Sequence, residues 1–168
     1  MVGIASETYS CAPTPVQYAA IEAYQVNKKI DDYLAHQRRI LQLVAQHMYK
    51  SLVGVGVKLH QPEGGFYLNP DFSNFKTVFA QHGINTNADL CEALLKDTAV
   101  AILPGNAFGY AETDLVARVA YVDFNGVEAL KASEKIGLET PLSEAFLNEY
   151  CPKIIEGTRR MVTWLSGF

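Results

Sequence analysis

What this sequence lacks narrows its class before any motif is considered. It has no cysteines at disulfide or metal-ligand spacing, since Cys11, Cys91 and Cys151 stand far apart. An odd, widely spaced set gives no disulfide framework and fits a reducing, cytoplasmic setting. It has no basic excess: the formal net charge is −4. A nucleic-acid groove, which needs clustered cations, is therefore not expected. The closest basic runs, Lys28-Lys29 and Arg38-Arg39, lie beside Asp31 and Asp32 on one helical segment and read as a solvated face. No apolar run is long enough to span a membrane. The opening "MVGIASETYSCAP" has neither the basic start nor the apolar centre of a signal peptide. There is no HExxH, Walker loop, GxSxG or dinucleotide fingerprint. His36, His47, His60 and His82 are joined by no Glu or Cys at ligand spacing, so no metal site is expected. Ser6, Ser10 and Cys11 have no His or Asp placed for a triad.

What is present fits one domain, or two small lobes, in 168 residues. Thr14 to Leu52 reads as one helix, with Thr14 as N-cap, Pro15 in the first turn and Gln17 completing a capping box. Ile30, Tyr33, Leu34, Ile40, Leu41, Val44 and Met48 form its apolar stripe. Such a helix would be about 55 Å long. A domain of this size has a radius of gyration of about 15 Å, so the helix projects or joins two bodies. Its first turns, Val16 to Tyr24, are small and aromatic, as if built to pack closely. Gly54 and Gly56 end it. Residues 57–68 then read as a hairpin bent at Pro62-Glu63-Gly64-Gly65.

A helix capped at Thr86 or Asn87 follows, then a short strand ending at Pro104-Gly105, then the strand "LVARVAYVDF". A helix closed by Gly137 and a final helical segment broken near Pro152 complete the chain. The order predicts a two-layer α/β fold. A small sheet of three or four strands is covered by helices, and a long N-terminal helix serves as spine.

Three stretches carry candidate chemistry. Arg118 opens an apolar strand, where a bare charge must find an anion or water. Its planar fork suits a carboxylate. The plain alternative is an ion pair with Asp114 or Glu112. "LPGNAFG", residues 103–109, either walls a pocket with Asn106 and Phe108 or is simply a strand-end turn. "PEGGFY", residues 62–67, either lets backbone approach a ligand or is a bend that needs two glycines.

Together, "SETYSCAPTPVQYAA", "PEGGFYL", "LPGNAFG" and "RVAYVDFNG" resemble, in order and spacing, the C-terminal part of class I/II aminotransferases, fold-type-I enzymes that depend on pyridoxal phosphate. The resemblance implies that Arg118 binds the α-carboxylate of an amino acid or 2-oxo acid. It implies that Pro104, Gly105, Phe108 and Gly109 edge the active site, and that Gly64, Gly65 and Phe66 form the bend of the small domain. Residues 1–26 would be a remnant of the large domain with the start of the interdomain helix, and residues 27–168 the small domain.

The family's Schiff-base lysine lies in a Ser-x-x-Lys or Ser-Lys context followed by Gly-x-Arg, and this chain has no such segment. "SEK", residues 133–135, is the nearest match and lacks the Gly-x-Arg. Lys28, Lys29, Lys50 and Lys58 have no such context either. The resemblance therefore implies a pyridoxal-phosphate enzyme whose attachment lysine is not in this chain. This piece would be inactive alone. Its partners would be the substrate carboxylate and a large domain, or a second copy, covering residues 1–26. Two other readings stay open: a stand-alone, non-catalytic binding module, and a piece of a fold-type-I lyase, decarboxylase or synthase.

Overall fold

A computed structural model describes residues 3–4, 7, 11–25 and 27–168. Ser6 and Ser10 lie outside the described residues. The chain divides into two compact units, residues 1–35 and 36–168.

In the first unit the expected single helix is two. Helix α1 spans Thr14–Ala23 and α2 starts at Lys28. The second helix begins because Asn27 caps it: its side-chain oxygen accepts from the Lys29 amide at 2.9 Å, and its carbonyl accepts from Ile30 and Asp31. Thr14 is not the N-cap of α1. Pro13 holds that position without a side-chain bond, and Gln17 donates to the Ala12 carbonyl at 2.7 Å. None of the ten residues of α1 is buried. Val16, Tyr18 and Ile21 are largely exposed, and Tyr24, just after the helix, is 90% exposed. Lys28 pairs with Asp32 one turn on, on a solvated face as expected.

The second unit is built on the rest of α2, which ends at Gly54. Its stripe of His36, Ile40, Val44, Ala45, Met48 and Leu52 is buried. Termination is a Schellman motif: Val57 donates to Leu52 and Gly56 to Val53, with Gly56 in the left-handed region at φ +94°. After it come β1 (Tyr67–Leu68), a 3-10 turn (Ser73–Phe75), α3 (Lys76–Gln81), α4 (Asn87–Thr98) and β2 (Leu103–Pro104). A 3-10 turn (Gly105–Phe108), β3 (Ala117–Ala120), α5 (Gly126–Ile136), α6 (Glu144–Tyr150) and α7 (Pro152–Leu165) complete it. The expected break at Pro152 falls between α6 and α7.

The hairpin is a correction. Strand β1 does not pair with residues 57–59. It pairs with β3, and the earlier segment makes only the Lys58–Asp71 bridge. Leu68 sits beside Val119 with both side chains buried in the core, and Val57 reaches the same core without pairing with β1. The sheet is antiparallel in the order β1-β3-β2. Its inner face carries Leu68, Ala117 and Val119 onto Val44, Met48, Leu52, Phe72 and Tyr121. Helices α4 and α7 pack together beneath, with an aromatic cluster of Phe79, Trp164 and Phe168. The result is the two-layer α/β arrangement with a three-stranded sheet.

The three cysteines are free thiols. Cys11 is exposed, whereas burial pushes Cys91 and Cys151 up to about 11. Among the described residues no helix is long and apolar enough to cross a membrane.

Candidate functional site

The outer face of the sheet is where chemistry can occur. Register puts Leu103 opposite Arg118 and Tyr67 opposite Ala120. These four therefore share the face that the core does not cover. Arg118 is half-buried there. The ring of Phe108 lies 3.5 Å from its guanidinium carbon and the ring of Tyr67 lies 4.4 Å from it. The guanidinium is thus stacked by one ring from β1 and one from the turn after β2.

The turn explains "PGNAFG". Gly105 donates to the Val116 carbonyl at 2.9 Å, and a Cβ on it would sit 2.6 Å from that same oxygen. No larger residue fits. Gly109 then closes the turn onto the Asn106 carbonyl, and Phe108 is returned over β3. Asn106 itself is exposed and makes no side-chain hydrogen bond to Arg118. Of the two loop candidates, Phe108 reaches Arg118 and Asn106 does not.

The loop into β3 is pinned from α4. Thr86 is the cap, in a capping box with Asp89. Asn87 is fully buried and donates to the carbonyls of Ala111 and Asp114 at 2.9 and 3.0 Å. Asp114, the nearest acid expected to pair with Arg118, instead accepts from the Ala111 amide. Among the described residues no carboxylate lies within ion-pair distance of Arg118. Its Nε is buried and has no acceptor. The Nη nitrogens have no protein partner among the described residues either, and they keep access to solvent. A guanidinium with two rings against it and no acid partner among the described residues keeps donors that suit an anion.

The glycine bend, Gly64-Gly65, is held from below. Tyr121, buried at the end of β3, donates its hydroxyl to the Gly65 carbonyl at 2.9 Å, and burial raises its pKa. Tyr67, which follows the bend, was missed as a site residue. Its signal was the alternation with Leu68, which places it on the open face once Leu68 is inward.

Other candidates are placed elsewhere. His36 Nδ1 lies 2.8 Å from Ser133 Oγ, a spacing that would suit a base and nucleophile. Both groups are buried, and Ser133 Oγ already accepts from Arg39 Nε at 2.8 Å. Arg39 also donates to the carbonyls of Ser133, Gly137 and Thr140. The reading of Arg39 as solvated is therefore corrected: it closes the C-terminus of α5, where a cation meets the negative end of the helix dipole. A cleft of about 630 Å³ is floored by Met48, Val119 and Met161. Its rim charges are already paired, Lys153 with Asp123 and Arg160 with Glu156.

Comparison with known proteins identifies the family of the chain. The family "Aminotransferase class I and II" matches residues 1–130. The chain belongs to that family. It is 35% identical over 124 residues to an aspartate aminotransferase of Bacillus sp. (strain YM-2), covering 72% of this chain and 29% of that protein. It is 33% identical over 105 residues to a probable aspartate/prephenate aminotransferase of Aquifex aeolicus (strain VF5), covering 62% of this chain and 25% of that one. The fold matches an aminotransferase from Mycobacterium tuberculosis with a TM-score of 0.61 at 23% identity, over 98% of this chain and 34% of that one. The chain therefore spans about a third or less of the length of these relatives.

Proposed function

We propose that this chain is the carboxylate-binding portion of a pyridoxal-phosphate-dependent aminotransferase. That enzyme moves an amino group between an amino acid and a 2-oxo acid, with Arg118 receiving the substrate α-carboxylate. The observation that carries this is a stacked, half-buried guanidinium with no acid partner, at the strand position where the family resemblance expects one. A bidentate pair with a carboxylate would neutralise the charge and fix the substrate's orientation.

The cofactor does not fit on this chain alone. None of the residues stacked on or paired across from Arg118 is a lysine. Lys28, Lys58 and Lys153 are engaged by Asp32, Ser73 and Asp123. Lys135 of "SEK" is exposed on α5, and its Ser133 is occupied by Arg39 and His36. The cofactor's attachment is assigned to residues outside this sequence, on the large domain that the family carries. The exposed apolar residues Val16, Tyr18, Ile21 and Tyr24 favour association with that domain or with a second copy.

The test has two parts. The gene is read upstream of the Met1 codon for an open frame encoding a Ser-Lys or Ser-x-x-Lys segment followed by Gly-x-Arg. In the protein that frame encodes, Arg118→Ala is expected to lower kcat/KM about a hundredfold or more, the scale of a lost charged, bidentate contact. A stop codon close upstream, with no turnover of amino acids by the pure chain and pyridoxal phosphate, would instead leave a binding module.

A further inference from the structure

We infer that Phe108 and Tyr67 are positioning residues for this carboxylate receptor: they clamp the guanidinium of Arg118 between two rings so that only its Nη edge meets the ligand. The inference rests on the reading of Arg118 as the receptor and adds how the chain makes a flexible side chain into one.

Three observations on one face of the sheet carry it. First, the rings come from opposite sides of β3. Tyr67 stands on β1 and Phe108 on the turn after β2. The strand order β1-β3-β2 therefore supplies a ring on each flank of Arg118, at 4.4 and 3.5 Å from the guanidinium carbon. Second, Nε is buried without an acceptor while the Nη atoms are not. An anion therefore cannot approach side-on through Nε, and the end-on approach through both Nη atoms is left. Third, the turn that delivers Phe108 is over-determined. Gly105 touches the Val116 carbonyl so closely that no side chain fits, and Gly109 adopts φ +89°.

The physical benefit is preorganisation. An arginine side chain loses about 2 kcal/mol of rotamer entropy when fixed. Here that loss is met by stacking before the ligand arrives. A guanidinium is weakly hydrated on its faces and strongly on its edge, so two rings remove little hydration and leave the donors wet. The buried Nε is the cost of this arrangement. A charge with no acid beside it also keeps its attraction for the incoming carboxylate.

The experiment uses the whole 168-residue chain and acetate as the probe, a carboxylate with no other functional group, at constant ionic strength with chloride as control. Arginine Nε–H signals are followed by heteronuclear NMR, that of Arg118 being assigned by its loss in Arg118→Lys. In the unsubstituted chain this signal is expected upfield, from the ring currents, and slow to exchange. Acetate shifts it saturably, together with the backbone amide signals of Ala117 and Val119, and these amides report the acetate response in the variant that lacks the arginine. Phe108→Leu is expected to return the signal toward the random-coil position, speed its exchange and weaken acetate binding about fivefold, the scale of one partly desolvated cation–π contact. Phe108→Tyr should retain both signal and affinity, and Tyr67→Leu should give a smaller loss of the same kind. Phe108 and Tyr67 are partly exposed, so these variants keep the fold.

If Arg118→Lys abolishes the acetate response while Phe108→Leu and Tyr67→Leu leave signal and affinity unchanged, the receptor stands and the clamp is overturned. If the acetate response survives in Arg118→Lys, the receptor reading fails and the clamp, having no ligand to position, fails with it.

Discussion

Arg39 and Arg118 are both half-buried, and neither has a carboxylate partner, yet they do opposite things. Arg39 lies between α2 and the end of α5 and spends its donors on Ser133 Oγ and the carbonyls of Ser133, Gly137 and Thr140. Burial lowers its pKa, but a guanidinium stays charged. Four of its five N–H donors meet an oxygen, so the charge is consumed in holding two helices together. Arg118 lies on the open face of the sheet between two aromatic rings, with Nε orphaned and the edge free. Its charge is held in place but not used. Polar saturation marks a structural cation, and polar deficit in a stacked cation is what the proposed receptor role of Arg118 requires.

Substitution separates the two most sharply at Arg39. Arg39→Ala removes a charged donor from three carbonyls and a buried hydroxyl, and is expected to cost about 2–4 kcal/mol in a urea melt. Arg39→Lys should recover little of it, because a point charge cannot reproduce the fork. A cost below about 1 kcal/mol would break the comparison. Next in size is Tyr121→Phe, which takes the hydroxyl from the Gly65 carbonyl and should cost about 1 kcal/mol. Arg118→Ala should change stability by less than about 1 kcal/mol in the same melt, since it breaks no hydrogen bond and relieves an orphan. A large loss there would mean that Arg118 is structural after all.

Arg159 and Arg160 offer a third kind of arginine, on the solvated face of α7. Both donate to Glu156 at 2.8 Å, and these bonds hold the Glu156 carboxyl down to about 2. A lowered carboxylate pKa stabilises the fold above the unfolded value near 4.5. That contribution is lost as pH falls through about 2. The group is exposed, so the effect should be the smallest of the set and should fade with salt. Glu156→Gln is expected to flatten the acid limb of the stability curve slightly. No change at low ionic strength would remove the pair from the account.

Much of this was legible in local chemistry. Part of the stripe on α2 (Ile40, Val44 and Met48, but not Tyr33, which is 43% exposed), the Gly56 and Gly137 stops, the helix start at Thr86 or Asn87 and the Pro152 break all depend on residues within a few positions of one another. The strand of Arg118 was legible for the same reason: Val119 and Tyr121 turn inward, so Arg118 and Ala120 turn out. One error was local: the sequence around Asn27 reads as uninterrupted helix, whereas its side chain accepts from the Lys29 amide and starts a second helix. The other arose where the deciding partner was distant. Leu59 and Leu68 look like hairpin partners, but β1 found β3, some fifty residues on, because that pairing buries Leu68.

By itself the sequence determined the main periodicities, several helix stops, and the presence of an unexplained cation in an apolar strand. These follow from backbone geometry and side-chain spacing, which act over a few residues. Only the tertiary structure decided which arginine was already satisfied. Whether a guanidinium finds three carbonyls or two rings depends on elements brought together from far along the chain. Ser133 came to Arg39 across α5, and Phe108 came to Arg118 because a glycine turn folded back over the sheet.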